Sequence, residues 1–148
     1  MRKIIILLIF VLLIFAAFLL SFQYNLRSVS GLKTLYINDS KILVEVADTA
    51  QEQAQGLSGR SSLAENQGML FLFGLPNYYS FWMKEMKFPL DFVWIANKQV
   101  IEITKNVQPQ DYQPPKTLIP KEKVDMVLEI NAGLVEKLNI KVGDKILF

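Results

Sequence analysis

The run Val124-Asp125-Met126-Val127-Leu128-Glu129-Ile130 alternates in side-chain character, with Val124, Met126, Leu128 and Ile130 on one face and Asp125, Val127 and Glu129 on the other. Alternation at a period of two is the mark of a β-strand with one face turned to a core. Working outward, the same signal recurs in short runs over Thr34–Ile37, Lys41–Val46, Gly68–Phe73, Tyr79–Met83, Leu90–Ile95, Val100–Val107 and Lys145–Phe148. Asn38-Asp39-Ser40 and Asn97-Lys98 supply the residue types of tight turns between neighbouring strands. Pro109, Pro114, Pro115 and Pro120 make residues 108–120 an extended segment outside any ladder, because proline has no N–H to give. Two short helices interrupt the strands. Thr49-Ala50-Gln51-Glu52 fits a capping box opening a helix that Gly56 stops, and Asn131 is read as the cap of a second over Ala132–Leu138. The expected fold is α+β and mainly antiparallel, a small closed or rolled β-barrel-like domain.

The amino-terminal end has a different composition. Ile4 to Leu20 is a run of 17 residues drawn only from Ile, Leu, Val, Phe and Ala. As a helix it spans roughly 25 Å, and Phe22 and Tyr24 extend it toward the roughly 30 Å hydrocarbon thickness of a bilayer. The residues behind it give no small-x-small cleavage site close to its end, and with no cysteine a lipid-modified anchor is excluded. Residues 1–24 are therefore expected to be a signal-anchor transmembrane helix, 25–33 a tether, and 34–148 one extracytoplasmic domain. Arg2 and Lys3 before the helix set the orientation, since positive charge stays on the cytoplasmic side. The expected location is the cytoplasmic membrane, crossed once, with the carboxy-terminal domain outside.

Charge narrows the function classes. The chain has 16 basic and 14 acidic residues; without Arg2 and Lys3 the balance is 14 to 14. The part of the chain after the anchor is thus formally neutral and shows no basic stripe, which does not fit a nucleic-acid binder. Histidine and cysteine are both absent, which removes Ser-His-Asp and Cys-His nucleophiles and the usual zinc sites. Gly56-Leu57-Ser58-Gly59-Arg60 lacks the spacing and the Lys-Ser/Thr of a phosphate loop. Calcium bound by Glu85, Asp91, Glu129 and Asp144 would need ligand spacing that is not present. No metal and no cofactor is expected.

Aromatic density is the unusual feature. Nine aromatic residues, Phe71 through Trp94, fall within 24 positions. On an extended segment Phe81 and Met83 point one way while Trp82 and Lys84 point the other. One reading packs this segment on both sides; the other exposes an aromatic platform on which a ligand or partner stacks.

Gly68-Met69-Leu70-Phe71, Phe81-Trp82-Met83-Lys84, Phe88-Pro89-Leu90-Asp91, Val127-Leu128-Glu129, Gly133 and Val142-Gly143-Asp144 resemble, in order and spacing, the bacterial and archaeal family DUF192, the domain of unknown function 192. The resemblance covers residues 34–148 and implies a compact β-rich domain, often exported, with no established activity. Two positions depart from the family pattern: Ser58 stands where a methionine is common, and Glu85 where an asparagine is usual.

The expected function is a ligand- or partner-binding module of the cell envelope. Its candidate residues are Arg60 and Lys84 to hold an anionic group, Trp82 to stack, and Asp91 and Glu129 to orient the cations or accept hydrogen bonds. The alternative is an envelope hydrolase or carbohydrate-active enzyme that uses Asp91 and Glu129 as a carboxylate pair, which requires the two carboxyls to face one cleft. A third is a docking domain for another membrane protein.

Overall fold

A computed structural model describes residues 10–16, Leu19 and 31–148. Residues 10–16 and Leu19 are helical. Most of the anchor expected over 1–24 and of the tether expected over 25–33 lies outside the described residues, and among the described residues no helix is long and apolar enough to cross a membrane. Lys33–Phe148 is a compact unit of its own.

That unit contains seven strands and two short helices: β1 (Lys33–Ile37), β2 (Ser40–Ala47), α1 (Ala50–Gln55), β3 (Gln67–Asn77), β4 (Leu90–Ala96), β5 (Gln99–Val107), β6 (Val124–Asn131), α2 (Leu134–Lys137) and β7 (Ile146–Leu147). The strands form one sheet in the order β5-β4-β6-β3-β2-β1-β7. The sheet rolls until its two ends meet. Gln99 bridges to Lys145, and the Ile146 and Val100 amides donate to the carbonyls of Lys98 and Asp144 at 2.9 Å each. The expected rolled, mainly antiparallel β domain is therefore present.

Both hairpin turns follow their residue types. Asn38, Asn97 and Lys98 take positive φ of 52°, 52° and 60°, the left-handed conformation that two-residue hairpins need and asparagine tolerates. One pairing is parallel, β2 with β3, because α1 carries the chain back to the starting end of the sheet. Thr49 opens α1 as expected: its hydroxyl accepts the Glu52 N–H at 3.3 Å, and the Glu52 carboxylate accepts the Thr49 N–H at 3.1 Å.

The sheet is buried on both faces. Leu35, Ile42, Val44, Leu70, Val93, Leu128 and Ile130 pack inside the roll. Ala47, Met69, Phe71, Phe92, Trp94 and Val127 pack on the other face. A covering layer, residues 78–89 and 108–120, seals that second core with Phe81, Met83 and Leu118.

Three expectations change. Tyr79–Met83 is not a ladder strand: its single bridge is Phe81 with Leu118, and its alternation serves to drop Phe81 and Met83 onto the sheet below. Asn131 does not cap α2; its side-chain amide donates to the Leu63 and Ala64 carbonyls at 3.0 and 3.1 Å, and Gly133, in left-handed conformation at φ 87°, stands at the cap. Val124 packs with Val127 rather than with Leu128, because the β3–β6 register shifts between Leu72 and Asn77.

Candidate functional site

Residues directly opposite each other in a ladder send their side chains to the same face. Glu45 is opposite Met69, Met69 opposite Glu129, Glu129 opposite Phe92, and Phe92 opposite Thr104. This row crosses five strands on the covered face, and it places two carboxylates on either side of one methionine.

Arg60, in the loop after α1, forks onto Glu45: Nη1 and Nη2 each donate to a separate carboxylate oxygen, the second at 2.8 Å. The loop is placed by Gly56, whose N–H donates to the Glu52 carbonyl at 2.8 Å and whose φ of 50° turns the chain out of α1. A side chain at Gly56 would meet the Phe71 ring at 3.3 Å. The loop is then pinned to the covering layer, with the Gly59 N–H on the Glu85 carbonyl at 3.1 Å and the Ser58 hydroxyl on the Lys84 carbonyl at 2.8 Å.

Glu129 is only 5% exposed. Burial pushes its carboxyl up to about 8, and the nearby positive charge of Arg60 opposes part of that rise. The physical cause is ordinary: a charged carboxylate loses more hydration on burial than a neutral acid does. At neutral pH the group is therefore mostly a neutral acid, able to donate a hydrogen bond.

Glu129 lines a cleft of about 250 Å³. Its walls are aromatic: Phe71, Phe73, Tyr79, Phe81 and Trp82. Phe73 and Tyr79 stack with centroids 3.5 Å apart, and Phe81 packs edge-on against Phe71, Phe92 and Trp94. Three polar donors of its lining are committed to backbone carbonyls: Gln53 Nε2 to Leu72 at 2.7 Å, Gln55 Nε2 to Ser58 at 3.1 Å and the Tyr79 hydroxyl to Leu75 at 2.6 Å. Beyond Gln55 and Gly56, which line both, a second hollow of about 410 Å³ holds Glu45, Arg60 and Met69.

The five expected site residues separate into four groups. Trp82, 43% exposed, and Glu129 line the cleft together. Arg60 acts on Glu129 through its charge while its fork is engaged by Glu45. Lys84 is exposed and lies 3.8 Å from Glu85. Asp91 belongs elsewhere: it is opposite Ile130, one residue out of step with Glu129, so its side chain is on the inner face. Fully buried there, it accepts the Asn106, Gly133 and Val135 N–H groups at 2.8, 2.9 and 3.2 Å. It ties β4, β5 and the start of α2 together, and the register keeps it from acting with Glu129 across one cleft.

Sequence reasoning missed Glu45 as part of the site, whereas Phe73 and Tyr79 belong to the aromatic cluster it singled out. The Ile42/Val44/Val46 alternation did set Glu45 on the opposite face, but nothing local says which strands become its neighbours.

Residues 33–148 match DUF192, described as Uncharacterized ACR, COG1430. The chain belongs to this family. Among solved structures, the DUF192 domain resembles a protein of unknown function from Novosphingobium aromaticivorans, with 33% identity over 79% of this chain and 85% of that one and a TM-score of 0.72. It also resembles a Sinorhizobium meliloti protein provisionally described as a transcription regulator, with 32% identity over 77% of this chain and 89% of that one and a TM-score of 0.69. No curated protein matches it.

The family's usual asparagine at position 85 now has a backbone explanation. Glu85 sits at φ 59°, where asparagine is better tolerated than glutamate.

Proposed function

We propose that this protein is a binding module of the cell envelope, held at the outer face of the cytoplasmic membrane by residues 1–24, with its ligand site in the cleft over Glu129. The observation that carries the reading is a nearly buried carboxyl at an aromatic-lined opening. Burying an ionisable group costs stability unless it is neutralised or used, and clefts with a few convergent polar groups and perturbed acids are where ligands bind. The anchor rests on the Ile4–Leu20 run and the Arg2-Lys3 pair.

An anionic ligand held by Arg60 and Lys84 is disfavoured, because Arg60 is engaged by a carboxylate and Lys84 points away into solvent beside Glu85. The hydrolase reading is disfavoured by the opposite facing of Asp91 and Glu129. Regulation of transcription, the role ascribed to one structural relative, finds no support in a domain whose residues 34–148 carry 14 acidic and 12 basic side chains.

The test uses the two tryptophans. Trp82 lines the cleft and Trp94 is fully buried, so a panel of sugars, amino acids, amines and short carboxylates is titrated while emission is followed. The reading expects at least one class to change the emission of the wild type and not of Trp82→Phe. No response from any class, or a response that survives the substitution, contradicts it.

A further inference from the structure

Resting on that binding reading, we propose that the cleft takes an uncharged saccharide ring, one face lying on the Trp82 indole and one oxygen accepting a hydrogen bond from the Glu129 carboxyl.

Size, surface and charge converge on this class. The cleft, at about 250 Å³, has room for about one ring rather than for a drug-sized molecule. Its walls offer π-faces, on which the C–H face of a sugar lies as well as any flat apolar group does. A charged ligand is opposed from both sides. An anion would find no Lys or Arg lining the cleft, and Arg60 nearby is already engaged by Glu45. A cation would meet the Arg60 guanidinium, whose charge already acts on Glu129. An uncharged molecule with oxygen acceptors avoids both penalties, and a neutral carboxylic acid is the donor it needs.

The groups that face Glu129 define the pH response. They are Glu45 from β2, Arg60 from the loop after α1 and Tyr79 from the covering layer, while Met69 on β3 and Phe92 on β4 are apolar. Glu129 itself is the group whose carboxyl burial pushes up to about 8, so a titration across pH 6–9 spans its change.

The experiment titrates the full chain, in a polyoxyethylene detergent that carries neither sugar nor amine, with N-acetylglucosamine trisaccharide and separately with tyramine. Trp82 emission is the readout and Trp82→Phe the blank. The expected result is saccharide binding that weakens about tenfold between pH 6 and pH 9 as the donor proton is lost. Glu129→Gln, whose amide still donates, should bind without that pH dependence, and Glu129→Leu should not bind. Saccharide affinity that rises with pH, or a pH response unchanged in Glu129→Gln, overturns the proposal. Tyramine binding without saccharide binding overturns the ligand class alone and leaves the binding module standing. Silence from both probes, with a response to another class in the panel, likewise overturns the class.

Discussion

Glu45 and Glu129 face the same side of the sheet, one on each flank of Met69, and Arg60 is forked onto the first while its charge acts on the second. Pairing Arg60 with the more exposed acid leaves the inner acid to lower its desolvation cost by holding a proton. The arrangement is therefore an asymmetric use of one cation between two carboxyls, and it decides which of them is a donor at neutral pH.

The stability of the domain should carry this signature. The Glu129 carboxyl titrates about 8 in the folded chain and near 4.5 when unfolded, so the folded state binds the extra proton between those values. Its contribution is fully present below about pH 4.5 and is lost as pH rises through about 8. Glu52 and Glu65 shift the other way, through hydrogen bonds from Thr49 and Lys137, and act below about pH 4.5. Urea unfolding of wild type and Glu129→Gln from pH 5 to 9 separates these effects. The variant should gain on the order of 2–4 kcal/mol relative to wild type toward pH 9; parallel curves would refute the assignment.

Asp91 should behave as a structural acid. Asp91→Ala leaves three N–H groups, that of buried Val135 and the part-buried ones of Asn106 and Gly133, without their acceptor, a loss of about 3–5 kcal/mol in urea unfolding. Asp91→Asn keeps one acceptor oxygen and should lose less. A variant that keeps wild-type stability would show that these contacts do not hold β5 and α2 in place.

Glu85→Asn tests whether the family's preference at this site is a backbone matter. Relief of the left-handed strain at φ 59° should raise stability by about 0.5–1 kcal/mol, read as a rise in Tm. An unchanged or lower Tm would return position 85 to the list of residues whose identity serves something else.

Gly68→Ala should be costly. An added Cβ would lie 2.8 Å from both the Glu129 carbonyl and Ile130 Cγ2, so β3 and β6 must part, at about 2–4 kcal/mol by analogy with overpacked cores. Because the clash falls on the Glu129 backbone, amide exchange at Glu129 should rise with it. Wild-type stability in Gly68→Ala would show the two strands are less closely apposed.

Local chemistry made much of this fold legible. The Thr49 capping box, the Asn38 and Asn97 turns and the alternation through Leu128 and Ile130 each carry their own signal, and each element formed where its residues predict. The parallel β2–β3 pairing had none, because partner choice is settled by how α1 returns the chain. Tyr79–Met83 reads as a strand because covering a sheet and joining it demand the same alternation of Phe81, Trp82 and Met83. The site suffered in the same way. Trp82 and Glu129 were recognisable from their types, whereas the separation of Asp91 from Glu129 follows from a one-residue offset in register that no local pattern encodes.

The most direct measurement is a ¹³C NMR titration of the glutamate side-chain carboxyls, with the Glu129 resonance assigned by its absence in Glu129→Gln. The account predicts a midpoint near 8 for Glu129, moving higher in Arg60→Ala as the opposing charge is removed. A midpoint in the ordinary glutamate range near 4.5 would contradict it, since the cleft would then hold a carboxylate and not a donor.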